Sequence, residues 1–219
     1  MSNREISADL LLVAYAQGIF PMAETRDDPN IYWVDPERRG IIPLDTFHAP
    51  RRLQRTVKAN TYRVTVDTEF ENVMRECAKP RPSQAESWIS EPIIALYCEL
   101  HRRGHAHSVE TRDADGVLVG GLYGVKLGAA FFGESMFSQA TDASKVALVH
   151  LVARLKAGGF MLLDTQFQTA HLAQFGTVEI SRREYRRRLS AATMAQADFY
   201  RLPSGADGAL VLQSITQTS

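Results

Sequence analysis

The chain has 219 residues, 45% of them hydrophobic, and its 25 basic and 25 acidic side chains cancel to a formal charge of zero. That length and apolar content suit one large domain, or a small one joined to a larger one, with a sizeable core. Zero net charge excludes a global basic field for nucleic acid, and no apolar run approaches the length of a membrane span. Residues 1–9 hold no apolar signal core, and Cys77 and Cys98 lie in apolar helical patterns without metal-ligand or redox spacing. Both cysteines read as reduced, buried thiols of a cytoplasmic protein.

Residues 8–17 read as a helix, with Ser7 as its cap and Gly18 ending it. Pro21, Pro29, Pro36, Pro43 and Pro50 then punctuate an irregular stretch in which regular helices are not expected. Residues 1–60 therefore read as a small, loop-rich lobe packed on the larger C-terminal part of the chain. Tyr62, Val64 and Val66 alternate with Arg63 and Thr65, the period of a strand. Thr68 and Glu71 form a capping box for a helix burying Phe70, Val73, Met74 and Cys77. Lys79 to Glu86 is a polar loop leading to Trp88, and Ser90 with Pro92 starts a second helix that ends before Gly104.

Three strand-like runs come next, Ala106–Thr111, Val117–Val125 and Ala129–Phe132, joined by turns at 113–116 and 126–128, as in an antiparallel meander. An amphipathic helix spans about 143–156. Phe160–Asp164 is a buried strand, 169–174 a short helix, and Val178–Ile180 another strand. Ser181 and Glu184 box the start of a basic helix running from Arg182 to about Ala192. Beyond residue 200 the chain reads as a polar, loose tail. The order β-α-α-β-β-β-α-β over 61–200 predicts an α/β or α+β domain rather than a helical bundle, and α+β is the class expected here.

Two runs carry the chemistry: Gly133-Glu134-Ser135-Met136-Phe137-Ser138, directly after one apolar segment, and Asp164-Thr165-Gln166, ending another. Polar side chains just past strand ends face crevices where ligands bind. From residue type alone, Glu134 also reads as a surface acid in a turn and Asp164 as a cap on the turn after it. Ser135 and Ser138 read as turn hydroxyls bonding nearby backbone, not as nucleophiles. Arg51, Arg52, Arg55 and Lys58 form one basic cluster, and Arg182, Arg183, Arg186, Arg187 and Arg188 another; each is either a solvated face or a grip on phosphates. His105 and His107 share one strand face without a third ligand in register, so no metal site is expected.

Along the chain come, in order, Gly18-Ile19-Phe20-Pro21-Met22, Tyr32-Trp33-Val34-Asp35-Pro36, Ser87-Trp88-Ile89, Gly104 to Glu110, Gly120 to Val125, Gly133 to Ser138, Ala143-Ser144-Lys145, Asp164-Thr165-Gln166, His171 and Arg182 to Tyr185. In these runs the chain resembles the leucyl/phenylalanyl-tRNA–protein transferase family. It departs from the family pattern at Tyr32, at Ser181 and between Gln166 and His171. The resemblance implies a small N-terminal domain beside an N-acetyltransferase-like mixed-sheet domain, working without metal or coenzyme A. It implies transfer of Leu or Phe from a charged tRNA to the α-amine of proteins beginning with Arg or Lys, marking them for degradation under the N-end rule.

On that resemblance Asp164 and Gln166 form a relay, with Asp164 either accepting charge or only orienting Gln166. Gln166 does not titrate, but its amide both donates and accepts. Glu134 is the anion for a cationic acceptor. Leu122, Phe131 and Met136 line the pocket for the transferred side chain, with Met adapting to two shapes. Trp33 and Trp88 stack on the terminal adenine, and Tyr97 and Ser138 help line the site. Arg51, Arg52, Arg55, Lys58, Arg182 and Arg183 hold the acceptor stem. Two rivals remain: a coenzyme A-dependent N-acetyltransferase, which the glycine-free run Ser138–Lys145 disfavours, and a non-catalytic binder of basic N-termini.

Overall fold

A computed structural model describes residues 6–23, 31–80 and 87–216. Residues 1–5, Pro29 and the part of the polar loop from 81 to 86 lie outside the described residues. The N-terminal helix α1 (Ala8–Ala16) is capped by Ser7, whose hydroxyl accepts from the Leu10 amide at 3.2 Å. After it comes a two-stranded ribbon, β1 (Phe20–Met22) with β2 (Tyr32–Val34). Thus the proline-punctuated stretch holds extended chain where irregular loops were expected.

The remaining strands form one seven-stranded sheet: β3 (Arg38–Ile42), β4 (Arg63–Val66), β5 (Ala106–Arg112), β6 (Leu118–Leu127), β7 (Ala130–Ser138), β8 (Leu162–Gln166) and β9 (Val178–Ser181). Their spatial order is β4-β5-β6-β7-β8-β3-β9. All pairs are antiparallel except β7 with β8. The protein is therefore a mixed α+β fold on a large mixed sheet. Strand β3, from the proline-rich region, inserts between β8 and β9.

Helices cover both faces. On one lie α1, α3 (Phe70–Cys77), α4 (Glu91–Arg102) and α7 (Arg182–Met194). On the other, α5 (Ala143–Ala157) packs against β5, β6 and β7, and is covered in turn by α2 (Arg51–Lys58) and α8 (Gly208–Thr216). This explains why α5 is buried on nearly all sides, where an amphipathic helix was expected. The short α6 (Ala170–Ala173) lies just after β8.

Three local readings change. Thr68 does not cap α3; its hydroxyl donates to Glu110 instead, because the buried carboxylate of Glu110 competes for it. The stretch beyond residue 200 is not wholly loose, since Val211 and Ile215, one helical turn apart in α8, are buried against α5 and α2. Finally, β7 continues through Ser138, so the run from Gly133 to Ser138 is strand rather than turn. Its register with β6 shifts between Tyr123 and Gly124, and Gly124 opposes Gly133 there. A β-carbon at Gly124 would lie 2.3 Å from the Phe132 carbonyl oxygen, so the irregularity needs glycine. Ser181, by contrast, caps α7 as its spacing to Glu184 predicts, accepting from the Glu184 amide at 3.3 Å.

Candidate active site

The parallel pair is what opens the site. Register between β7 and β8 runs Ala130 with Leu162, Phe131 with Leu163, and Phe132 with Asp164, and then stops. Beyond that point β7 stays paired to β6, while Gln166 of β8 pairs with Gly40 of β3. The two strands part at their carboxyl ends, where ligands bind in sheets of this kind. A cavity of about 310 Å³ fills the gap. Leu122, Met136, Leu148, Leu151, Leu163 and Leu172 form its apolar wall; Glu134, Ser135, Thr165, Gln166, Thr169 and His171 supply polar groups.

Asp164 is fully buried and saturated. Its Oδ1 accepts from Arg39 Nε at 3.0 Å and from the Gln166 amide at 2.8 Å. Its Oδ2 accepts from Arg39 Nη2 at 2.6 Å and from the Tyr185 hydroxyl at 2.7 Å. Arg39 also donates to the Gly18 carbonyl at 2.9 Å and lies between the rings of Phe20 and Tyr185. Burial pulls the Arg39 pKa down, but the facing Asp164 carboxylate more than offsets this and raises it. Burial and then the Asp164 charge hold the Tyr185 phenol far above its ordinary value. Breaking such a buried pair from one side costs about 3–5 kcal/mol.

What Asp164 organises is a turn. Gln166 has φ +62°, in the left-handed region that non-glycine residues seldom occupy. Phe167 N–H donates to the Thr165 carbonyl at 2.6 Å, closing the turn around it. A β-carbon on Gly40 would lie 2.5 Å from the Phe167 backbone, so β3 needs glycine beneath this turn. Asp164 therefore holds Gln166 through its backbone, and the Gln166 side chain is released toward β7.

Glu134 is the carboxylate that the cavity sees. Tyr15 donates to its Oε1 at 2.7 Å, Gln166 Nε2 donates to its Oε2 at 3.2 Å, and the Tyr97 hydroxyl stands 3.4 Å from Oε2. The Tyr15 and Tyr97 hydroxyls are 2.6 Å apart. Burial, and after it the neighbouring Asp164 charge, lifts the Glu134 pKa to about 7 against the hydrogen bonds from Tyr15 and Gln166. Burial and the Glu134 charge raise both phenols well above their ordinary value, so they remain donors. The fully buried Tyr123, beside Tyr97, has a hydroxyl with no hydrogen-bond partner among the described residues.

Of the residues singled out from sequence, Glu134, Gln166, Leu122 and Met136 meet at the cavity, with Asp164 and Tyr97 buried behind it. Phe131 is not among the lining residues; it is buried on the α5 side, with Phe160 and Phe199. Ser138 is exposed at the end of β7, where its hydroxyl donates to the Ala140 carbonyl and accepts from the Ser144 amide. Trp33 is 40% exposed on β2, and Trp88 packs partly against the core; neither lines the cavity. Arg51, Arg52, Arg55 and Lys58 share the exposed face of α2, whose other face buries Leu53 and Val57. On α7, Arg182 and Arg186 pair with Asp35, and Arg187 and Arg188 with Glu184, while Arg183 makes no ion pair with a described residue.

Arg39, Tyr15 and Tyr185 escaped the sequence reading as site residues. Arg39 sits in the proline-rich stretch with no periodicity to mark it. Tyr15 had one signal, a phenol inside an apolar helix where its hydroxyl must find a partner. His171 lines the cavity with its pKa lowered, by burial first and then by Lys145.

The cavity thus joins an apolar wall to a carboxylate and an amide, with two phenols buried behind the carboxylate. Comparison with known proteins identifies the family. Residues 41–190 match the family described as leucyl/phenylalanyl-tRNA protein transferase, and residues 4–37 match that family's N-terminal domain. The leucyl/phenylalanyl-tRNA–protein transferase of Caulobacter vibrioides is 60% identical over 213 residues, covering 97% of this chain and 98% of that one. That of Maricaulis maris is 60% identical over 217 residues, covering 99% and 100%. The Nitrobacter winogradskyi protein of the same name is 55% identical over 220 residues, covering 100% and 97%. The chain belongs to the leucyl/phenylalanyl-tRNA–protein transferase family. The two matched spans meet at the start of β3.

Proposed function

We propose that this protein moves Leu or Phe from a charged tRNA to the α-amine of proteins beginning with Arg or Lys, in the cytoplasmic N-end rule pathway, through an N-acetyltransferase-like domain. The observation that carries this reading is the cavity: a leucine-rich wall beside Glu134 and Gln166, whose polar atoms lie 3.2 Å apart. The apolar wall takes the transferred side chain, and its selectivity is worth about 1–3 kcal/mol per methylene. The Glu134 carboxylate receives the acceptor's ammonium. Gln166 turns its amide toward the reacting carbonyl, on a backbone that Asp164 holds. The donor ester is already activated, so alignment suffices without an enzyme nucleophile.

The exposed face of α2 is the better candidate for gripping acceptor-stem phosphates, because most α7 arginines are engaged with acids. The exposed Trp33 and the half-buried Trp88 offer faces for the terminal adenine. The test is direct: purified protein, leucyl-tRNA carrying radiolabelled leucine, and a peptide beginning with Arg. Label should enter the peptide, and blocking the peptide's amine should abolish it. Peptide binding without transfer would favour the non-catalytic binder. The acetyltransferase rival is disfavoured by Asp142, which places a carboxylate at the N-terminal end of α5, where a pyrophosphate would need amides.

A further inference from the structure

We infer that Glu134, rather than Asp164, is the group that takes the proton from the acceptor's ammonium, and that Asp164 is a positioning residue acting through the Gln166 turn. The inference rests on the transferase reading above and deepens it. Asp164 offers no free lone pair toward the cavity: Arg39, Tyr185 and the Gln166 amide occupy both its oxygens, and it is fully buried. The Gln166 side-chain amide donates to Glu134 instead, so a chain of hydrogen bonds leading from the cavity ends on Glu134.

The groups that face Glu134 come from five other elements. Tyr15 of α1 and Tyr97 of α4 meet its oxygens, and Tyr123 of β6 lies behind Tyr97. Gln166 and Asp164 of β8 and Arg39 of β3 complete the set that bears on its charge. Arg39 is committed to Asp164, so Glu134 is the unpaired acid at the cavity among the described residues. Its carboxyl, held at about 7, lies close to the roughly 7.7–8.0 of a free α-amine. Proton exchange between them is nearly level, the condition for efficient general-base catalysis.

The step balances without another reactant. The ammonium gives one proton to the Glu134 carboxylate and becomes a neutral amine. The amine nitrogen bonds to the ester carbonyl carbon, and the bond from that carbon to the ribose oxygen breaks. The nitrogen's second proton passes to the ribose oxygen, leaving an amide, a free hydroxyl and a neutral Glu134, which then releases its proton to solvent.

The experiment is single-turnover transfer of labelled leucine from leucyl-tRNA to an Arg-initiated peptide, monitored from about pH 5.5 to 9. The wild-type rate should rise through a limb near 7 and stay there when the acceptor is exchanged for one with a different α-amine pKa. In Glu134→Gln the limb should move to the acceptor's own pKa, with transfer reduced roughly a hundredfold or more near pH 6.5 and largely recovered near pH 9. Glu134→Asp, which keeps an acid, should retain a limb that is independent of the acceptor. A uniform loss at every pH in Glu134→Gln would make Glu134 a binding group only and overturn the inference. A wild-type limb that tracks the acceptor would do the same, and needs no variant to fold. Absence of wild-type transfer at all pH values would instead sink the underlying transferase reading.

Discussion

Asp164 and Glu134 stand on neighbouring strands, one at the last registered pair of β7 and β8 and the other two residues past it. Asp164 faces an arginine and a phenol and has every lone pair engaged. Glu134 faces two phenols and an amide, and pairs with no cation among the described residues. Both are acids near the cavity, yet one fixes backbone and the other lines the cavity wall. Hydrogen-bond saturation separates the two, and two residues along a parting strand pair are enough to do it.

The contrast between the two acids depends most on Arg39. Arg39→Met leaves a buried carboxylate without its cation and should destabilise the protein by about 3–5 kcal/mol, read from urea unfolding. The double variant Arg39→Met with Asp164→Leu should recover part of that loss. A smaller effect arises from Glu134, whose folded pKa of about 7 exceeds its ordinary 4.5. Between those values the folded state keeps a proton that the unfolded chain has lost, so stability is greatest at low pH and falls as pH rises through 7. The drop should be about 3–4 kcal/mol, and Glu134→Gln should flatten it in thermal melts across pH. Acid-range unfolding by other carboxylates is separated by measuring the difference between variant and wild type.

Helices α2 and α7 are both basic, but most α7 arginines are matched by Asp35 and Glu184, whereas among the described residues α2 has only a 4.0 Å contact between Arg52 and Asp142. Neutralising Arg51, Arg52, Arg55 and Lys58 together should flatten the salt dependence of tRNA binding by a slope of about 3. Met136→Ala, which widens the cavity, should shift transfer toward bulkier side chains by about tenfold, measured as relative kcat/KM. Arg187→Ala with Arg188→Ala should leave both the urea-unfolding midpoint and the salt slope of tRNA binding unchanged, because these are exposed pairs.

Much of the framework was legible in the chain. Alternation marked the edge strand β4, Ser181 with Glu184 marked the start of α7, and the turns at 113–116 and 126–128 fell where Gly116 and Gly128 take positive φ. The strand–helix order from residue 61 to β8 came out as the periodicity predicts. Where the reading failed, a long-range partner decided. Thr68 gave its hydroxyl to Glu110 on another strand. The run from Gly133 to Ser138 became strand because β6 offered it a full hydrogen-bonding edge.

The family, the cavity's principal polar residues and most strand and helix positions were legible in the chain, because these depend on residue type and local spacing. Which acid is paired was set by the fold. Arg39 lies 125 residues from Asp164 in the chain, and Tyr15 lies 119 from Glu134. Electrostatic partnership over such separations is set by which strands become neighbours. Here the insertion of β3 beside β8 delivers the arginine to Asp164, and α1 delivers the phenol to Glu134.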